Sequence, residues 1–203
     1  MGRPREHDES TRESLRAEAE RIVAEHGLAA LSVRAVAEAA HTTTRAVYST
    51  FGSKDGLVDA LAQTAFQFLD TEIAKLPETD DPLRDAIDVA VKVFRRLALE
   101  HPVLYRIAFQ RVAPVLRAGP EVTEARQRAF AQLQGKIRRL EQAGLLGGTS
   151  LQDATVAIEA MMEGLANAEL RGRTLPILPA GKEKQAWRRA LTTVIRGFQS
   201  DGL

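Results

Sequence analysis

The chain contains no cysteine, which excludes a disulfide framework, a thiolate metal site and a cysteine nucleophile and fits a reducing compartment. No apolar run approaches the ~20 residues that a membrane-spanning helix needs. No hydrophobic signal segment follows Met1, so a soluble, intracellular protein is expected. Catalytic patterns are missing as well. His7, His26, His41 and His101 are scattered and form no H-x-x-x-H pair. There is no G-x-S-x-G elbow, phosphate-binding loop or dinucleotide fingerprint. An enzyme is therefore not expected, nor a cofactor or a resident metal. Net charge is nearly absent too, since 28 basic and 27 acidic residues leave +1. A chain so balanced can hold a polyanion only through a local patch.

What is present is helical periodicity. No run of alternating β-branched residues and no internal repeat interrupts it. A helix starting at Ser10 or Thr11 lines one face with Leu15, Ala19, Ile22 and Val23 and stops near Gly27, and Leu28 and Leu31 should hold the following connection against the core. Two short helices come next, then one from Asp55 that carries Leu57, Val58, Leu61, Ala65, Phe68 and Leu69 and ends before Pro77. Pro82 opens a helix with Leu83, Ile87, Ala90, Val91, Phe94 and Leu97 on its buried side, and His101 and Pro102 mark a break. A shorter helix should reach about Pro114, and a long amphipathic one spans Glu121 to Ala143. Two final helices, Leu151 to Arg171 and Lys182 to Gln199, flank a loop containing Pro176 and Pro179. The expected fold is all-α with about nine helices.

The densest signal lies between Leu31 and Leu61. Ser32 is a good N-cap, because its hydroxyl can accept an orphan backbone N–H. Val33, Val36, Ala37 and Ala40 then give a short helix one apolar stripe. Thr42, Thr43 and Thr44 offer a second cap, after which Val47 and Phe51 are the next buried positions. Arg45, Tyr48, Ser49 and Thr50 fall on the other face. Two short helices so arranged have the layout of a helix-turn-helix. From Ala39 to Lys54 there is no acidic residue, although acids are frequent elsewhere in the first sixty residues. A surface that approaches phosphates must avoid carboxylates.

The segments LSVRAVAEAA, TTTRAVYSTF and FGSKDGL resemble the N-terminal domain of the TetR family of transcriptional regulators. The resemblance implies that Thr43, Thr44 and Arg45 face base edges from the start of a recognition helix. Tyr48 and Lys54, and Ser32 besides its cap, would then hold phosphates. Thr42, Ser49 and Thr50 complete the expected DNA-facing set. Where the family usually has Gly and a small apolar residue in the turn, this chain has His41 and Thr42. A non-glycine residue there is expected to take a positive φ at a cost of about 1 kcal/mol or more. Ser49 and Thr50 stand where larger basic or imidazole residues are frequent.

The expected organisation is a flexible basic arm over residues 1–8, a helix-turn-helix domain over 9–54 and a helical ligand-binding and dimerisation domain over 55–203. Arg3 and Arg5 in the arm could reach a neighbouring minor groove, where arginine is attracted by the negative potential. The family resemblance implies a homodimer that reads a palindromic operator. Its seam is expected at Leu165, Trp187, Leu191, Val194, Ile195 and Phe198. An effector pocket is expected among Phe94, Tyr105, Phe109, Met161 and Met162, with His101, Arg106 and Glu163 as polar anchors. HPVLYRIAF and GLANAELRGRTLP are similar to a subgroup of family C-terminal domains in which a Trp and a His precede the glycine aligned with Gly164. Here Glu159 and Glu163 take those places. The expected function is a ligand-released repressor, cytoplasmic and nucleoid-associated, with an unidentified small-molecule effector. Two rivals from other classes are a constitutive architectural DNA binder and an α-helical enzyme or carrier.

Overall fold

A computed structural model describes residues 4–110, 119–174 and 176–199, with side chains from residue 9 onward. The elements in order are α1 (Pro4–His26), a 3-10 turn (Leu28–Ala30), α2 (Val33–Ala39), α3 (Thr44–Phe51) and α4 (Lys54–Ala74). They continue with α5 (Pro82–Asp88), a π-helical stretch (Val89–Phe94), α6 (Arg95–Glu100), α7 (Pro102–Phe109), α8 (Pro120–Gln142), α9 (Leu151–Leu170) and α10 (Glu183–Gly197). Because α5, the π stretch and α6 follow one another without a break, the described residues form nine helical rods and no strand. None of these helices is long and apolar enough to cross a membrane.

The chain divides into two compact units. The first comprises Met1–Ala65 and Val103–Thr123. Leu15, Ala19, Leu31, Val36, Val47, Leu57 and Leu61 form its core, each no more than 1% exposed. Side chains of this kind stabilise by about 1.5–3 kcal/mol each on full burial. Helix α1 begins six residues before the expected Ser10. A proline is tolerated at a first helical position, where its missing N–H would lack an intrahelical partner anyway. Much of the expected arm is therefore helical backbone, while Arg3 and the side chain of Arg5 lie outside the described residues. So does the expected run of α7 to Pro114. Leu28, expected against the core, is 40% exposed, whereas Leu31 is fully buried. Within the short turn the two leucines point different ways, and only one reaches the interior.

The second unit comprises Phe66–Pro102 and Glu124–Leu203. Its π stretch buries Val89, Ala90, Val91, Val93 and Phe94 and leaves Lys92 exposed, as suits a helix segment covered on most sides. Two of its polar clusters join separate helices. The Asp85 carboxylate accepts the Thr79 backbone N–H and hydroxyl, both at 2.8 Å, and pairs with Arg139, which also donates to the Thr79 carbonyl. Glu169 on α9 accepts from Arg95 through both carboxylate oxygens and from the Trp187 indole N–H at 2.9 Å. The latter cluster ties α6, α9 and α10 together.

Candidate nucleic-acid interface

The caps expected between residues 31 and 61 are formed. The Ser32 hydroxyl accepts the Ala35 N–H at 3.1 Å, and the Thr43 hydroxyl accepts the Ala46 N–H at 3.2 Å. Between them, Thr42 N–H bonds to the Ala37 carbonyl and His41 N–H to the Glu38 carbonyl. That pair of bonds is a Schellman ending, which needs a left-handed residue one past the C-cap. The residue is His41, with φ 51°, the one non-glycine residue with positive φ among those described. The expected strain in the turn is present.

Helix α3 is anchored from below by Val47, which is fully buried. Thr42, Thr43, Thr44, Arg45, Tyr48 and Ser49 are exposed, as is Lys54 at the start of α4. Tyr48 is 55% exposed, a large apolar ring held out in solvent at some cost. Thr50 differs from the rest. It is half-buried and its hydroxyl donates to the Ala46 carbonyl at 2.9 Å, so it is committed to its own helix. Ser32 is also half-buried and already occupied as a cap acceptor. Among the described residues, Arg45 and Lys54 have no carboxylate partner. Nor does Arg34, an exposed residue of α2 that the motif reading passed over. Its place off the apolar stripe of α2 was the available signal.

The junction behind this face is tight. The Ser53 hydroxyl accepts the Gly56 N–H at 3.0 Å and so caps α4. A Cβ on Gly56 would lie 1.8 Å from the Phe51 carbonyl oxygen. The start of α4 therefore approaches the end of the α3 rod as only glycine allows.

A family model for bacterial regulatory proteins of the tetR family matches residues 15–61, and one for the tetracyclin repressor-like C-terminal domain matches residues 87–194. The chain belongs to the TetR family. It is accordingly a DNA-binding transcriptional regulator and not an enzyme. No curated protein matches this TetR-family chain. Among solved structures it is similar to a protein of unknown function from Rhodococcus sp. RHA1, at 24% identity and a TM-score of 0.77, covering 92% of this chain and 94% of that one. It is similar to the TetR-family regulator PfmR from Thermus thermophilus, at 21% identity and TM-score 0.65, covering 90% and 97%. A third similar structure is RolR in complex with resorcinol, at 19% identity and TM-score 0.64, covering 98% and 97%. At these identities the structures share the fold.

The expected effector residues of this TetR-family chain divide between the two units. In the first, Tyr105 is fully buried and stacks on the half-buried Phe109 at 5.4 Å, while Arg106 is exposed. In the second, Phe94 and Met162 are buried, and Met161 and Glu163 are half-buried on α9. His101 is also half-buried and meets the Phe68 ring edge-on at 5.4 Å. Burial pushes the carboxyls of both Glu159 and Glu163 up. The Glu163 charge raises Glu159 further, against a smaller opposing effect of Arg126.

The residues expected at a dimer seam separate in the same way. Trp187, Leu191 and Ile195 are each 2% exposed or less. Their faces are consumed inside the chain, because α10 needs an apolar stripe simply to pack on α5 and α9. Leu165, Val194 and Phe198 are half-buried. The apolar surface left on α9 lies elsewhere, at Val156, which is 64% exposed, and at the exposed Ala160 and Gly164. These stand four residues apart and so share one face.

Proposed function

We propose that this regulator is a dimer that places α3 in the major groove of a palindromic operator and is released by a small molecule. The observation that carries the reading is the exposed, acid-free face from Thr42 to Ser49, backed by the fully buried Val47. Thr43, Thr44 and Arg45 sit at the start of α3, the part of a recognition helix that meets base edges. Tyr48, Lys54 and Arg34 flank it as phosphate contacts. Ser49 is exposed beside them, and Thr50 supports the helix from behind. Arg3 and Arg5 remain candidates for a minor-groove contact. The protein works in the bacterial cytoplasm, where the DNA is.

Binding of the wild-type protein to sheared genomic DNA of its host, at physiological salt, tests the operator. A few sharp palindromic sites are expected. Diffuse, salt-labile binding would replace this reading with that of an architectural protein. Lys54→Ala should weaken binding to all sequences and lower the salt slope by about 1, and Tyr48→Phe should weaken it without a sequence bias. Arg45→Ala should shift base preference at one position of each half-site, worth about 1–3 kcal/mol there. An unchanged preference would remove Arg45 from the reading set.

Dimerisation draws support from the exposed Val156, Ala160 and Gly164 face, whose small side chains let a second copy approach closely, with Leu165, Val194 and Phe198 at its margins. A two-fold dimer sets two recognition helices about 35 Å apart, the spacing of one turn of DNA. Ala160→Arg should convert the protein to monomers in sedimentation velocity and abolish half-site cooperativity. A variant that sediments like the wild type would place the seam elsewhere. Release takes support from the resorcinol complex of RolR. A ligand that prefers a differently spaced dimer frees the DNA in proportion to its differential affinity. Helix α4 is the natural lever, because it runs from the first unit into the second.

A further inference from the structure

Helix α1 carries several arginines whose partners are on α1 itself. Arg16 pairs with Glu13, and Arg21 pairs with Glu18 and Glu25. Arg12 leaves its own helix. Its guanidinium bonds to Glu121 at 2.7 Å, across 109 residues of sequence, and lies over the Phe51 ring at 5.7 Å from the centroid. Phe51 is the last residue of the recognition helix and Glu121 is in the first turn of α8. A second tie runs alongside, where the Asp59 carboxylate of α4 accepts the Gly119 N–H at 3.0 Å just before α8 begins. Between the two ties lies a cleft of about 210 Å³ lined by Arg12, Phe51, Asp59, Gln63 and Glu121.

Each contact alone is weak. Arg12 and Glu121 have side chains 41% and 62% exposed, and such pairs contribute little to stability. Their placement gives them another use. Residues 119–123 belong to the compact unit of the helix-turn-helix, whereas α8 from Glu124 onward belongs to the other. Helix α8 is continuous from Pro120 to Gln142, so the turn that holds Arg12 on the end of α3 is the start of a long helix.

We propose that Arg12, Phe51 and Glu121 form a clasp by which the first turn of α8 sets the placement of the recognition helix. This rests on the reading of α3 as the DNA-contacting element. The clasp is a second route to α3, separate from α4, and it holds α3 pre-organised, so opening it adds an ordering cost to DNA binding.

The test uses the full-length chain and a duplex selected by the wild-type protein from a random-sequence library. Arg12→Ala removes a positive charge and Glu121→Gln a negative one. A plain charge effect on DNA would move affinity in opposite directions. The clasp requires both to weaken binding, by about two- to five-fold. The swapped pair Arg12→Glu with Glu121→Arg should recover most of the loss, and Arg21→Ala, whose partners are on α1, should not matter. Amide hydrogen exchange is measured in parallel without DNA. Faster exchange toward the C-terminal end of α3 in both single variants is expected. Opposite signs in affinity, or unchanged exchange, would overturn the clasp. If the wild type selects no duplex, the DNA reading fails while the exchange result still decides whether Arg12 and Glu121 steady α3.

Discussion

Gly56→Ala is expected to lower stability by about 3 kcal/mol or more and to abolish operator binding. The added methyl would stand 1.8 Å from the Phe51 carbonyl oxygen, which is backbone and cannot swing aside as a side chain can. Either the first turn of α4 must lift away or the end of α3 must turn. Both disturb the Gly52 N–H bond to the Tyr48 carbonyl, and through it the residues that carry the DNA face. Thermal unfolding and duplex affinity read the two consequences. Gly135→Ala is the matched control, since nothing lies within 4 Å of a Cβ there. In the interior of α8 the same substitution should stabilise by about 0.5–1 kcal/mol. A Gly56→Ala protein that melts and binds like the wild type would mean that the α3–α4 junction tolerates a wider approach.

Asp85→Ala should be about as damaging, at about 3 kcal/mol, because it removes the buried partner of a half-buried cation and of two further donors. The Asp85 side chain is 4% exposed and Arg139 is 23% exposed. Removing the carboxylate leaves Arg139 with the Thr79 carbonyl alone and deprives the Thr79 N–H and hydroxyl of their acceptor. The loop before α5 is then held to α8 only by the Arg139 bond to the Thr79 carbonyl and the Lys136–Glu78 pair. Burial by itself would push the Asp85 carboxyl up. The Thr79 N–H, Arg139 and the Thr79 hydroxyl together outweigh it and hold the group below the usual aspartate range. A carboxylate depressed in the folded state stabilises fully above its unfolded pKa, and that contribution is lost as pH falls through the folded one. Wild-type stability should therefore drop on acidification below the ordinary aspartate range. In Asp85→Ala this part of the pH dependence should be missing. Equal slopes for the two proteins would show that Asp85 is not the group responsible. Glu159 and Glu163, raised by burial, act with the opposite sign, since protonation relieves them first.

Much of the DNA face could be read from the sequence because it is built from local bonds. The Ser32 and Thr43 caps each span three residues, and the positive φ of His41 follows from its place one past a helix end. Val47 is buried and Tyr48 exposed simply by helical phase. The sequence by itself therefore determined the all-α class, the nine rods of the described residues and the exposure of Thr42, Thr43, Thr44, Arg45, Tyr48, Ser49 and Lys54, though not the half-burial of Thr50. Periodicity states that a face is buried but not what covers it. That is why Trp187, Leu191 and Ile195 were expected at a dimer seam, whereas they are buried where α10 packs within its own unit. Leu28 and Leu31 are both apolar, and the turn geometry chose between them. Nothing adjacent to Gly56 in sequence marks it out, because the Phe51 carbonyl lies against it only in the folded junction. Arg12 shares its helix with Arg16 and Arg21, and only its partner Glu121, 109 residues away, sets it apart. Bonds within about four residues are set by adjacent side chains and backbone phase, whereas long-range pairs exist only after the helices have packed.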